Sequence, residues 1–198
     1  AGRGREAART APPRGAAWKT PHHPPGTVFP RNVLQRVVEL ATKHDCLIVT
    51  DEVYEHLTFG VRHIPVASLP GAAERTITIS SAGKTFSFTG WKIGWLTGPE
   101  HLVAAVRTVK QFLTYSSGTP FQSAIATGLA LPDEFYRGVS ARLQQKRAIL
   151  SEGLRSAGFD VSTPQGTSSS TVATSPRGIS APVDSARRHP RRSGCAAL

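Results

Sequence analysis

Apolar residues form short runs and helical periods between about residues 31 and 161. Three short runs rich in apolar and β-branched residues are typical of buried strands: Cys46–Thr50, Thr76–Ser80 and Ile93–Thr97. Before and after these runs, apolar residues recur every three or four positions and predict amphipathic helices. These helices are expected at Arg31–His44, from Glu100, from Thr119 to about Leu131, and from Asp133 to a stop at Gly158. The alternation predicts an α/β fold whose sheet is mostly parallel and flanked by helices.

The two ends of the chain lack this patterning. Residues 1–20 are rich in Ala, Arg, Gly and Pro, and residues 164–198 are rich in Ser, Thr, Pro, Arg and Ala. Neither segment shows an apolar period, so both are expected to be disordered, low-complexity tails. The 198 residues otherwise suffice for one domain with a core, together with part of a second.

The net charge of +11 lies mostly in these tails, because residues 1–20 carry +4, residues 161–198 carry +4 and the longer middle carries only +3. The tails have no interleaved aromatic residues, so we expect no nucleic-acid partner. No run of 18 apolar residues and no signal peptide are present, which favours a protein without a membrane partner. Cys46 and Cys195 are interpreted as free thiols in a reducing compartment, and the protein as cytoplasmic.

Polar side chains follow two of the predicted strands. Asp51 and Tyr54 come after the first, and Ser81 and Lys84 come after the second. In open parallel sheets, ligands bind beyond the carboxyl ends of the strands. Each residue alone has an ordinary interpretation, since a lysine after a glycine is usually solvated and an Asp-Glu pair usually caps a helix. Their order and spacing, together with the downstream Gly-Trp-Lys-Ile-Gly-Trp that contains Lys92, carry the argument.

This order and spacing resemble the class I and II aminotransferases, which are pyridoxal-phosphate enzymes of fold type I. The resemblance implies that Lys84 holds pyridoxal 5′-phosphate as a Schiff base and moves the substrate proton. It implies that Asp51 keeps the pyridine nitrogen protonated and that Tyr54 hydrogen-bonds the 3′-oxygen. Ser81 and Lys92 match the phosphate-binding positions, and no metal is implied.

Two positions depart from the family pattern. His23, in Pro-His-His-Pro-Pro-Gly, stands where the family has an asparagine that hydrogen-bonds the 3′-oxygen. A neutral imidazole can still donate one hydrogen bond, but it is bulkier and can titrate. Lys92 stands where many relatives have arginine, and it offers a point charge instead of a planar fork. The Gly-Trp-Lys form is similar to the kynurenine aminotransferase and glutamine transaminase K branch, with bacterial succinyldiaminopimelate aminotransferases as the nearby alternative.

The resemblance is expected to cover about residues 20–166, with the family sequence truncated at both ends. Residues 21–131 would form part of the cofactor-binding large domain, and residues 132–163 the connecting helix and the start of the small domain. Both tails are expected to be out-of-frame or misannotated translation, which leaves a fragment. Resequencing of the locus tests this expectation.

The implied function is amino-group transfer between an amino acid and a 2-oxo acid. A pyridoxal-dependent C–S β-lyase is an alternative, because the proton chemistry at Lys84 serves both reactions. A catalytically silent fragment is a third possibility. The missing segments would leave apolar faces exposed, and a few hundred Å2 of such surface costs several kcal/mol at ~25 cal/mol per Å2, which is comparable with the stability of a whole domain. The family usually forms homodimers, so a second copy of the chain is an expected partner.

Overall fold

The computed structural model describes residues 14–116, 118–168 and 172–173. Four strands form the main sheet: β1 (Gly15–Lys19), β2 (Leu47–Asp51), β3 (Thr76–Ser81) and β4 (Gly94–Thr97). They lie side by side in chain order. The first three run parallel, whereas β4 pairs antiparallel with β3. The expected α/β class with a mostly parallel sheet is confirmed, and the sheet has one antiparallel edge strand.

Helices connect and follow these strands. They are α1 (Arg31–Lys43), α2 (Ala82–Thr85), α3 (Glu100–Leu113), α4 (Thr119–Leu129) and α5 (Asp133–Ser156). A short antiparallel pair, β5 (Asp160–Val161) and β6 (Val172–Ala173), follows α5. In the part of the chain that the structure describes, no helix is both long and apolar enough to cross a lipid bilayer.

Helix α5 ends at the predicted position. Gly158 adopts a φ of 87°, the left-handed conformation that glycine reaches without strain. Its N–H donates to the carbonyl of Arg155 at 2.9 Å, and the N–H of Phe159 donates to the carbonyl of Leu154 at 3.0 Å. These two bonds satisfy carbonyls at the helix end, as in a Schellman motif. The start differs slightly from expectation, because Pro132 occupies the cap position and Asp133 is the first helical residue.

The main core lies between α1 and one face of the sheet. Leu34, Val38 and Ala41 are the buried positions of α1. They pack in one cluster with Ile48 of β2, and the cluster is completed by Cys46, Val66, Leu69 and Ala72. The three-to-four-residue spacing of α1 and the alternation of β2 therefore meet in a single core.

The opposite face of the sheet is only partly covered in the described residues, although Ile77 of β3 is buried on that face. Leu47 of β2 is 37% exposed, and Ile79 of β3 is 40% exposed. Helix α3 buries none of its residues, and its Phe112 is 84% exposed. The apolar stripe that predicted α3 therefore does not contribute to the main core.

The prediction that residues 1–20 are disordered is wrong for residues 14–20. Gly15–Lys19 form β1, which pairs in parallel with β2 over its whole length. Thr20 and Pro21 are buried directly after it. The alanines of this segment gave no apolar run, but strand pairing and not intrinsic propensity fixes its conformation. Residues 1–13 lie outside the described residues.

The start of the predicted C-terminal tail is also ordered. The N–H of Gln165 donates to the carbonyl of Gly26 at 2.9 Å, and its carbonyl accepts from the N–H of Phe59 at 2.7 Å. Thr167 is buried, and its N–H donates to the carbonyl of Leu57 at 2.8 Å. Long-range backbone hydrogen bonds, which composition does not reveal, hold residues 164–168 in place. Residues 174–198, including Cys195, lie outside the described part of the chain, and Cys46 is a buried thiol.

Candidate active site

The carboxyl ends of three parallel strands place polar side chains along one edge of the sheet. Lys19 ends β1, Asp51 ends β2 and Ser81 ends β3. Lys19 and Asp51 are direct partners in the parallel register, and Asp51 in turn faces Ile79 of β3. The position is the one at which an open parallel sheet binds its ligand.

Lys84 is presented by the single helical turn α2, which begins directly after β3. Ser81 is extended, with φ −154° and ψ 152°, and the chain turns into α2 at the next residue. The Nζ of Lys84 lies 5.8 Å from the centroid of the Tyr54 ring. Tyr54 is 5% exposed and packs with Leu57 and Val139 of α5. A buried aromatic ring therefore gives the lysine amine a fixed neighbour.

His23 is the third member of this group and contacts the Tyr54 ring. The two rings stack with centroids 5.5 Å apart and an interplanar angle of 7°. His23 lies in a tight turn in which the N–H of Gly26 donates to the carbonyl of His22 at 2.8 Å. Gly26 has a φ of 71°, and a Cβ there would lie only 2.3 Å from the Cβ of Pro164. The close approach of residues 164–168 therefore requires glycine and holds the turn beside Tyr54.

The electrostatic surroundings keep the His23 imidazole neutral. Burial lowers its pKa below the ordinary value of 6.5. The positive charges of Lys19, Lys84 and His22 lower the pKa further. Lys19 and Lys84 both act on the same ring, although Lys19 ends β1 and Lys84 follows β3. A neutral imidazole offers one N–H donor and one acceptor nitrogen.

Both oxygens of the Asp51 carboxylate have partners. Oδ1 accepts the N–H of Val53 at 3.3 Å, and Oδ2 lies 3.4 Å from the Nζ of Lys19. The backbone carbonyl of Asp51 accepts the N–H of Thr20 at 3.1 Å. The sequence did not reveal Lys19 as part of this site, because its segment was expected to be disordered.

The structure thus groups Lys84, Tyr54 and His23, and it places Asp51 at the same sheet edge. Ser81 lies at the end of the strand that leads to Lys84. Lys92 is exposed and follows a short 3-10 turn, Thr89–Trp91, with a left-handed φ of 56°. In the described residues, no ion pair or ring contact joins Lys92 to the other predicted site residues.

Two further polar groups were missed by sequence reasoning. Glu52 is fully buried, and its carboxylate contacts the Nε2 of His63 at 2.6 Å and accepts the N–H of Val66 at 3.1 Å. His56 stacks on Tyr136 of α5 with centroids 4.3 Å apart. In the sequence, the only signal for Glu52 and for His56 is that each is a polar residue shortly after the apolar run of β2.

A cleft of about 920 Å3 lies beside His56 and Tyr136. Asp51, Tyr54 and Lys84 do not line it. We take the strand-end group and not this cleft as the candidate active site, because the strand ends bring a lysine, a carboxylate and a phenol to one edge. The described residues contain no group of three or more potential metal ligands.

Comparison with known proteins agrees with this arrangement. The family description "Aminotransferase class I and II" matches residues 5–181. The chain therefore belongs to the class I and II aminotransferase family. The expected limits of the resemblance, residues 20–166, were too narrow at both ends, since the match includes the segment that forms β1.

Individual relatives are similar over about three quarters of the chain. The chain is 46% identical over 149 residues to the probable N-succinyldiaminopimelate aminotransferase DapC of Mycobacterium tuberculosis, covering 75% of this chain and 38% of that protein. It is 44% identical over 155 residues to kynurenine–oxoglutarate transaminase 3 of Rattus norvegicus, covering 74% and 34%. Both branches named from the sequence are thus represented among its relatives.

Solved structures show the same fold. The N-succinyldiaminopimelate aminotransferase from Mycobacterium tuberculosis matches with a TM-score of 0.76 and 45% identity, over 78% of this chain and 40% of that one. YbdL from Escherichia coli, described with a methionine aminotransferase function, matches with a TM-score of 0.80 and 32% identity, over 88% and 47%. The chain therefore spans less than half the length of the relatives and structures that it matches.

Proposed function

We propose that this chain is part of a pyridoxal-phosphate-dependent aminotransferase that transfers an amino group between an amino acid and a 2-oxo acid. The observation that carries the proposal is the group at the sheet edge: the Lys84 amine lies near the Tyr54 ring, His23 stacks on that ring, and Asp51 ends β2. Family membership gives the same reaction class.

The residues present fit this cofactor chemically. Pyridoxal 5′-phosphate supplies an aldehyde that condenses with an amine and a ring that accepts electron density from the substrate. Lys84 would supply the amine, and Asp51 would accept a hydrogen bond from the ring nitrogen. Tyr54 and the neutral His23 would flank the 3′-oxygen. Ser81 and Lys92 would bind the phosphate, which the structure supports for Ser81 by its position directly before α2.

Each side chain has a distinct task in the proposed reaction. The Lys84 amine would act as the general base that takes the proton from the substrate Cα and, once protonated, as the general acid that gives the proton back. The Asp51 carboxylate would stabilise positive charge at the ring nitrogen, and such a charge would increase the ring's capacity to accept electrons. Burial of Tyr54 fixes its ring and limits the positions that the Lys84 amine can sample.

The substrates are proposed only as a class. The relatives named above act, by their names, on N-succinyldiaminopimelate or on kynurenine with oxoglutarate, and this chain covers less than half of each. We propose an amino acid and a 2-oxo acid as the reactants, and a homodimer as the assembly. No observation in the structure favours the C–S β-lyase or the silent fragment over transamination.

The test is titration of the purified protein with pyridoxal 5′-phosphate, followed by borohydride reduction and peptide mass mapping. We expect a stable adduct on Lys84. The exposed Lys43 of α1 is the internal control and should stay unmodified. The absence of any adduct would support the silent fragment. Production of pyruvate and ammonia from a Cβ-substituted amino acid would support the lyase.

A further inference from the structure

Lys19 shares the carboxylate that the proposed function assigns to the cofactor ring. Lys19 and Asp51 are Cα partners at the ends of the parallel strands β1 and β2. Partners in a parallel ladder extend their side chains from the same face of the sheet. The N–H of Thr20, donated to the carbonyl of Asp51 at 3.1 Å, fixes β1 at this point. The proximity of the two side chains is therefore set by backbone register and not by one rotamer alone.

The Asp51 carboxylate has no oxygen without a partner. Oδ1 accepts the N–H of Val53, and Oδ2 faces the Lys19 ammonium at 3.4 Å. A ring N–H that reaches this carboxylate must share Oδ1 with the N–H of Val53 or share Oδ2 with Lys19, and in either case the Lys19 ammonium acts on the same carboxylate. We propose that Lys19 competes with the ring nitrogen of pyridoxal 5′-phosphate for Asp51 and so lowers the fraction of ring nitrogen that carries a proton. The proposal depends on the proposed function, because it takes Asp51 as the partner of that nitrogen.

Simple electrostatics gives the direction of the effect. A protonated ring nitrogen and the Lys19 ammonium are like charges, and one carboxylate neutralises only one of them. The Lys19 charge also acts within the site, since it is one cause of the lowered pKa of His23. Lys19 and Asp51 are each 40% exposed, so solvent weakens the competition without removing it.

The test compares the native protein with two variants. Lys19→Met removes the charge and keeps an unbranched side chain of similar length, and Lys19→Arg keeps the charge. Each is loaded with pyridoxal 5′-phosphate labelled with 15N in the ring, and the 15N chemical shift is followed against pH. We expect Lys19→Met to hold the ring proton to a higher pH than the native protein. We expect Lys19→Arg to follow the native curve. The cofactor dissociation constant of Lys19→Met should fall by up to about fivefold, the scale of an exposed ion pair.

Coincident titration curves for the native protein and Lys19→Met would overturn the inference. Equal shifts in Lys19→Met and Lys19→Arg would also overturn it, because the charge would not be the cause. If Lys19→Met does not fold, Lys19→Gln removes the same charge and is judged by the same criterion. Failure of the native protein to form an adduct at Lys84 would overturn the proposed function and this inference together. An adduct at Lys84 with coincident curves would overturn this inference alone.

Discussion

The Nζ of Lys84 lies 5.8 Å from the centroid of the Tyr54 ring, although the two residues follow different strands. Neighbouring parallel strands bring their carboxyl ends to one edge, so residues that follow β2 and β3 become neighbours. His23 stacks on the same tyrosine from a third segment. Three segments thus contribute to one small group of side chains, and the first predictions concern that group.

Lys84→Ala should abolish both the cofactor adduct and any turnover, because no other amine faces Tyr54 in the described residues. The measurement is the absorbance of the protein after addition of pyridoxal 5′-phosphate, with borohydride trapping. Lys43→Ala, at the exposed end of α1, is the matched control and should behave as the native protein. Full activity in Lys84→Ala would show that the role assigned to Lys84 is wrong.

Asp51→Ala should lose most of the turnover, on the order of 10²-fold, as when one electrostatic partner is removed from an active site. The physical reason is the loss of the negative charge beside the ring nitrogen. The single-turnover reaction of the cofactor-loaded protein with an amino acid measures this step. Asp45→Ala, an exposed aspartate 3.7 Å from Arg75, is the control and should keep the native rate.

His23→Asn should tighten cofactor binding, because it restores the smaller amide that the family has at this position and removes a group that protonates. Burial and the nearby positive charges lower the pKa of His23 and keep its imidazole neutral near pH 7, so the native affinity should change as the pH falls through that lowered value. His23→Asn should lack this pH dependence. Dissociation constants at pH 7.5 and 5.0 check both statements; an unchanged affinity would show that the site accommodates histidine.

Protonation of His56 should destabilise the folded protein. Burial lowers the pKa of His56, although the negative charges of Glu55 and Asp133 oppose the shift. Between that lowered pKa and the ordinary value of 6.5, the unfolded chain binds a proton that the folded protein does not, so stability falls as the pH falls from about 6.5 through the lowered pKa.

Denaturant unfolding of the native protein and His56→Gln at pH 7.5 and 5.5 measures the His56 contribution. The native protein should lose more stability between the two pH values than His56→Gln does. His44→Gln, at an exposed position, should retain the native pH dependence. An equal pH dependence in the native protein and His56→Gln would contradict the prediction.

Glu52→Ala should lower the free energy of unfolding by about 3 kcal/mol, the cost of leaving a buried partner uncompensated. Glu52 is fully buried and contacts both the His63 ring and the N–H of Val66. Glu39→Ala removes a carboxylate of the same type from an exposed pair with Arg36 and should cost less than about 0.5 kcal/mol. Similar losses in both variants would show that the buried contact adds no specific stability.

Local patterns predicted the elements that bury an apolar face. The period of α1 and the short apolar run of β2 were read correctly because both contribute to one core. The stop of α5 at Gly158 was also predicted correctly, since a glycine after the last helical turn is a local sequence signal. The structure gives this glycine a positive φ. The prediction failed at β1, whose alanines form a strand only because β2 lies beside it. Local propensity is weak there, and pairing with a distant segment decides the conformation.

The candidate site likewise contains residues that local sequence patterns predicted and residues that depend on pairing with distant segments. Lys84, Asp51 and Tyr54 were predicted from spacing because each follows its own strand closely. The structure brings the Lys84 amine to the Tyr54 ring and places Asp51 at the end of β2, and the roles of the three residues remain predictions. Lys19 and the pairing of Glu52 with His63 could not be predicted, because each depends on which distant residue the register places opposite.

The sequence by itself determined the α/β class, the family and the order of chemical groups along the chain, because periodicity and motif spacing are local properties. Only the tertiary structure decided that Lys19 meets Asp51 and that residues 164–168 hold the His23 turn against Tyr54. Strand register and loop packing join segments far apart in the chain. They arise from the free energy of the whole fold, which no single segment encodes.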